Sequence, residues 1–196
     1  MTGSETSAQP DGRRQRTERS RSAIVKAALD LINEGQLIPT AQQIAERAGV
    51  GIRTFFRHFE DMSQLSKVVD ESIRDEYVAL ARGGDRNGSL ADRITHAIEQ
   101  HAELYERNTN IILSAAAQRW RNEFLLNNYA KVQRGLRKDL DDWLPELKQV
   151  DRATRETIDA VASFEMWYRL REHQGQSKKS SISIIVGLIT SQLAAQ

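Results

Sequence analysis

The stretch GVGIRTFFRHF, Gly49 to Phe59, gathers two arginines, a histidine, a threonine and three phenylalanines. Arg53, Thr54, Arg57 and His58 supply two guanidinium forks, a hydroxyl and an imidazole. Such groups suit phosphate oxygens, and an arginine fork also fits the O6/N7 edge of guanine in a major groove. By spacing alone, Ile52, Phe55, Phe56 and Phe59 fall at i, i+3, i+4 and i+7, the stripe of a helix that buries one side. The polar groups then share the open side, where the competing reading is an ordinary solvated surface.

The charge around this stretch is uneven. The 196 residues carry a net charge of only +1, yet Arg13 to Arg57 holds nine Lys and Arg against four Asp and Glu, while the remainder holds 19 against 23. A polyanion would be drawn to the N-terminal quarter alone. Five of those arginines crowd into RRQRTERSR, Arg13 to Arg21.

The elements that must position these groups read as helices throughout. Ile24, Ala27, Ala28, Leu31 and Ile32 mark one face of a helix from about Thr17 to Asn33, ended by Gly35 and Pro39. TAQQ, beginning at Thr40, has the form of a capping box for a short second helix through Ile44, Ala45 and Ala48. The quoted segment is the third helix, and helix, glycine-containing turn, helix is the helix-turn-helix plan. A fourth runs from EDMSQL to about Arg82, and GGDRNG, Gly83 to Gly88, reads as a linker. Further segments are expected over Leu90 to Tyr105, Asn110 to Arg121, Glu123 to Leu144, Asp151 to His173 and Lys178 to Ala195. The fold class is therefore all-α with about nine helices: a polar, disordered tail over 1–12, a helix-turn-helix domain over 13–60 and a helical domain over 61–196.

Several chemistries find no residues to carry them. The chain has no cysteine, so no disulfide, thiolate nucleophile or cysteine zinc site is expected. His96 and His101 do not share a helix face and no HExxH occurs, which argues against a metal site. Asp139, Asp141 and Asp142 lack a glycine turn and EF-hand spacing and read as a solvated face. No nucleophile–base order, phosphate loop or isolated carboxylate pair suggests an enzyme, and no cofactor is expected. The longest apolar run, Ile182 to Thr190, falls far short of the roughly 20 residues of a membrane span. The first residues lack the layout of a signal peptide, so the cytoplasm is the expected location.

TAQQIAERAGVGIRTFFRHFEDMSQL, with the preceding RSAIVKAALDLINEG, resembles the N-terminal domain of the TetR family of transcriptional repressors. The resemblance spans about Thr17 to Val69. It implies that Ile52, Arg53 and Phe56 look toward DNA while Phe55 and Phe59 pack inward, which splits the stripe that periodicity alone assigns to the core. It also implies a phosphate contact at His58, and Thr40 is placed to meet another phosphate from the start of the second helix. Arg53 is the candidate base reader. The expected DNA-facing set is Arg13, Arg14, Arg16, Thr40, Gly51, Ile52, Arg53, Thr54, Phe56, Arg57 and His58.

Three positions depart from the family pattern: Gly51 stands where a Ser or Thr cap is common, Phe56 where a Tyr is common, and Met62 where a Lys often contacts the backbone. The arginines of the N-terminal arm could restore the lost affinity from across the DNA backbone or the minor groove.

For the remainder, the resemblance implies an effector pocket and a homodimer. Candidate lining residues are Tyr77, Ile98, His101, Leu104, Tyr105, Ile112, Ala116, Trp120, Phe124 and Tyr129, a mixture of aromatic and small groups that leaves room for a small apolar or aromatic molecule. Val161, Phe164, Trp167, Tyr168, Ile185, Leu188 and Ile189 on the last two helices are the candidate dimer interface, with plain intrachain core as the competing reading. The function expected is a DNA-binding transcriptional regulator, a repressor released from a palindromic operator by its effector. The alternative is an architectural or partner-binding DNA protein without an effector.

Overall fold

The computed structural model describes residues 11–82 and 84–195, without the side chains of Asp11, Arg13, Glu76, Tyr77, Leu80, Ala81 and Arg82. Among these residues the fold is all-α: α1 (Asp11–Asn33), α2 (Ala41–Arg47), α3 (Ile52–His58), α4 (Met62–Arg82), α5 (Leu90–Gln118), α6 (Glu123–Trp143), α7 (Arg152–Val161), α8 (Phe164–Tyr168) and α9 (Lys178–Ala194). No described helix is long and apolar enough to cross a membrane. Of the tail expected over 1–12, residues 1–10 lie outside the described residues, and Asp11 and Gly12 open α1.

The chain divides into two compact units. One holds the described residues up to Ser72 together with Asn110–Leu125, and the other holds Ile73–Thr109 and Leu126 onward. In the first, α1 ends in a Schellman motif: Gly35 takes φ +93°, its N–H bonds the Ile32 carbonyl, and the Gln36 N–H bonds that of Leu31. Ile24, Ala28, Leu31, Ile44, Phe55 and Phe59 make the centre of its core, with Leu65 and Val69 of α4 closing it. A bidentate pair between Arg47 and Glu34, at 2.8 and 2.6 Å, joins α2 to the end of α1 from the outside.

The second unit has its own core, in which Ile98, Leu140, Trp143, Leu144, Ile158 and Ile189 are fully enclosed. Its interior is not purely apolar. Arg155 is buried and held by Asp141 at 2.8 Å and Asp159 at 2.9 Å. Asp139 accepts from Arg86 at 2.8 Å and lies 3.2 Å from His101 Nε2, so the reading of Asp139 as a solvated carboxylate is corrected. Paired on both oxygens, it can be sheltered from water. Asp142 does face solvent, where Lys138 one turn earlier holds its carboxyl below the usual range.

Three boundaries differ from the periodic reading. The arginine-rich segment is helical from Asp11, as a run of good helix formers without proline allows. A break near residue 109 is absent, because Asn108 and Thr109 bond back to the Leu104 and Tyr105 carbonyls and leave the α5 ladder intact. The helix expected from Asp151 to His173 is interrupted at Ala162, where Ser163 caps α8 through the Met166 N–H and α8 runs on into a π-helical turn over Arg169–His173.

Candidate nucleic-acid interface

The site is built from two seven-residue helices and the turn between them. Thr40 closes a capping box on α2: Gln43 N–H donates to its hydroxyl at 3.3 Å, and its own N–H donates to Gln43 Oε1 at 2.8 Å. Gly49 takes φ +66°, a left-handed conformation in which a side chain would be strained, and its N–H bonds back to Glu46. α3 then opens on Gly51 with no side-chain cap, as the departure at that position implies.

Packing decides which way α3 faces. Phe55 and Phe59 are fully buried, their rings 5.9 Å apart, whereas Phe56 is 52% exposed. Placing Phe56 in the core, as periodicity alone does, is therefore corrected: it lies against Phe55 edge-on at 5.2 Å and looks outward. Arg53 and Arg57 are exposed beside it, with Ile52, Thr54 and His58 half-buried at the margins. A ridge of two guanidinium groups flanking one aromatic ring thus projects from a short helix seated on two buried phenylalanines. It can donate to acceptors and offer an apolar edge at once.

The far end of α3 is fixed from α1. Arg21 donates to the His58 carbonyl at 3.4 Å, and its guanidinium lies over the Phe59 ring. His58 Nε2 is buried without a partner, and burial, helped by Arg57 and Arg21, holds its pKa below the ordinary 6.5. The imidazole is thereby kept neutral at physiological pH. Of the arm, Arg14 and Arg16 are exposed on the first turns of α1, while the Arg13 side chain lies outside the described residues.

Residues 24–69, which contain α2, the turn and α3, match the model of the bacterial regulatory proteins of the tetR family. The helix-turn-helix is thus similar to that of tetR-family regulators. TetR-type architecture extends over the rest of the chain. A transcriptional regulator from Rhodococcus sp. Rha1 superposes with a TM-score of 0.65 at 18% identity, covering 89% of this chain and 96% of its own. A Rhodococcus sp. protein described as a TetR-family transcriptional regulator gives 0.63 at 20% identity, over 89% and 98% of the two chains. A transcriptional regulator of Streptomyces coelicolor A3(2) gives 0.57 at 21% identity, over 88% and 99%. At such identities the likeness establishes the fold. No curated protein matches the chain.

In the second unit of this TetR fold, His101, Tyr105 and Tyr129 line a cavity of about 490 Å³. Burial pushes the Tyr105 pKa upward, so its hydroxyl stays protonated and donates to the Ala162 carbonyl at 2.9 Å. Ile98 and Leu104 are core residues of this unit. Ile112, Ala116, Trp120 and Phe124 belong to the other unit, with Trp120 76% exposed beneath Arg121. The Tyr77 side chain lies outside the described residues. Cavity residues that sequence reasoning missed include Arg134, Arg137, Glu156 and Glu165. Their signal was weak, because charged residues at helical spacing read equally well as solvent-facing.

Of the candidate interface residues, Phe164, Trp167, Ile185 and Ile189 are buried within their own chain, Val161 and Tyr168 are half-buried, and Leu188 is 38% exposed.

Proposed function

We propose that the chain is a dimeric transcriptional repressor of the cytoplasm, which binds a palindromic operator through α3 and is released by a small apolar or aromatic molecule. The observation that carries this reading is the outward ridge of Arg53, Phe56 and Arg57 on a helix anchored by Phe55 and Phe59. Arg53 reads a base edge; Ile52 and Phe56 meet thymine methyls; Thr54, Arg57, His58, Thr40 and the Gly51 backbone flank the phosphates; Arg13, Arg14 and Arg16 add sequence-independent attraction.

One such unit spans only a few base pairs, so specific binding calls for two, set a helical turn or a multiple apart. Leu188, with the half-buried Val161 and Tyr168, supplies apolar surface for that pairing. The cavity beside Tyr105 and Tyr129 supports the effector reading. An effector that moves the two recognition helices off groove spacing removes one of two linked binding events, and affinity falls steeply.

Selection of genomic fragments by the purified protein at physiological salt tests the reading. Enrichment of a site with two inverted half-sites is expected. Enrichment without a shared sequence would put an architectural role first, and a monomer at micromolar concentration in sedimentation would refute the dimer.

A further inference from the structure

Within the first unit, a segment remote in sequence grips the backbone just ahead of α2. Asn110, Ser114 and Gln118 recur every fourth residue on α5 and so share one of its faces. Asn110 Nδ2 donates at 2.8 Å to the carbonyl of Asn33, the last residue of α1, where helix termination leaves an acceptor open. Ser114 Oγ donates to the Leu37 carbonyl at 2.6 Å, and Gln118 Nε2 reaches the same oxygen at 3.3 Å. Gln118 is itself steadied by the Ser114 carbonyl and hydroxyl at 3.2 and 3.1 Å.

The gripped carbonyl sits at a sensitive place. Leu37 lies between the Gly35 turn and Thr40, which caps α2, and the intervening Pro39 has no N–H with which to brace the segment. Both acceptor sites of one carbonyl are taken by side chains of a buried serine and a half-buried glutamine. A second tie holds the other flank of the motif. Ser63, in the first turn of α4, donates to Asn122 Oδ1 at 3.1 Å, and Asn122 also caps α6 through the Leu125 N–H.

We infer that Ser114 and Gln118 are positioning residues for DNA binding. By fixing the Leu37 carbonyl they set where α2 begins, and through α2 how α3 meets a duplex. The inference rests on the DNA-binding function proposed above. It assigns a role in recognition to residues that touch no DNA and that lie about sixty residues beyond the recognition helix.

The test uses the full chain carrying Ser114→Ala, Gln118→Leu, the double substitution, or Ser114→Thr, which keeps the hydroxyl. Three quantities are read: amide hydrogen exchange over residues 36–47, the thermal midpoint, and affinity for the DNA fragment that the wild type enriches. Faster exchange in that window is expected, with affinity falling roughly fivefold per lost hydrogen bond and tenfold or more in the double variant, while the folded fraction at the assay temperature is unchanged. Ser114→Thr is expected to bind within about twofold of wild type, since its donor is retained. Wild-type affinity in the double variant would overturn the inference and leave the proposed function standing. So would a loss that only tracks a fall in folded protein. A wild type that enriches no sequence would remove the proposed function and this inference together.

Discussion

The guanidinium carbon of Arg21 stands 4.9 Å from the centroid of the Phe59 ring, and one of its nitrogens donates to the carbonyl of His58. A single α1 side chain thus covers the aromatic that anchors α3 and satisfies a carbonyl left open where that helix ends. Arg21→Ala is expected to destabilise the protein by about 1–2 kcal/mol, from a partly desolvated cation–π contact and one hydrogen bond. Arg21→Lys should recover part of that loss. Urea denaturation measures both, and an unchanged midpoint for Arg21→Ala would show that the contact is idle.

The adjacent phenylalanines of α3 should separate stability from binding. Phe55→Ala empties a fully enclosed site and is expected to cost about 3–5 kcal/mol. Phe56→Ala removes a half-exposed ring and should cost about 1 kcal/mol or less, yet weaken capture of the selected DNA. Equal destabilisation by the two would mean that Phe56 is a core residue after all.

Gly51 opens α3 without a side-chain acceptor at φ −71°, and a Cβ built there meets nothing within 4 Å. Gly51→Ser can therefore add the missing cap and restrict the unfolded chain, for an expected gain of about 0.5–1 kcal/mol. The opposite change, Thr40→Ala, removes an existing cap from α2 and should cost about 1 kcal/mol. Thermal midpoints moving in opposite directions are the predicted signature.

His58 makes stability depend on pH in one direction. Its folded pKa lies below the ordinary 6.5 because burial and the nearby Arg57 and Arg21 disfavour the imidazolium. As pH falls, the unfolded chain takes up that proton first, so the stabilisation is complete above about 6.5 and is lost as pH drops through the folded value. Denaturation midpoints between pH 7.5 and about 5 should fall more steeply for the wild type than for His58→Gln. Parallel profiles would exclude His58 as the titrating group.

Much of the first unit was legible because its signals are local. Thr40 and Gln43 form the predicted capping box, Gly35 the predicted helix stop, and Gly49 the turn; each depends on residues within a few positions of itself. The recognition face was less so. A seven-residue helix with three apolar residues, followed by Phe59 at its C-cap, offers a wide stripe, and the neighbouring core covers only the side holding Phe55 and Phe59. Resemblance, rather than periodicity, pointed Phe56 outward.

The second unit resisted reading for a related reason. Asp139 looks like any surface aspartate until Arg86 from the loop before α5 and His101 from α5 close on it. The four aromatic and aliphatic side chains expected to pair with a second copy, Phe164, Trp167, Ile185 and Ile189, are equally good core residues, and in this chain they pack as core.

By itself the sequence determined the helical class, the caps and stops, the basic N-terminal quarter and the helix-turn-helix, since propensity, capping and charge are properties of neighbouring residues. Only the tertiary structure decided that Asp139 is paired with Arg86 and His101, that α5 runs unbroken past Asn108, and that Ser114 and Gln118 hold Leu37. Burial and hydrogen-bond partnership across 77 or 81 residues of chain depend on which surfaces meet, and no local pattern encodes that meeting.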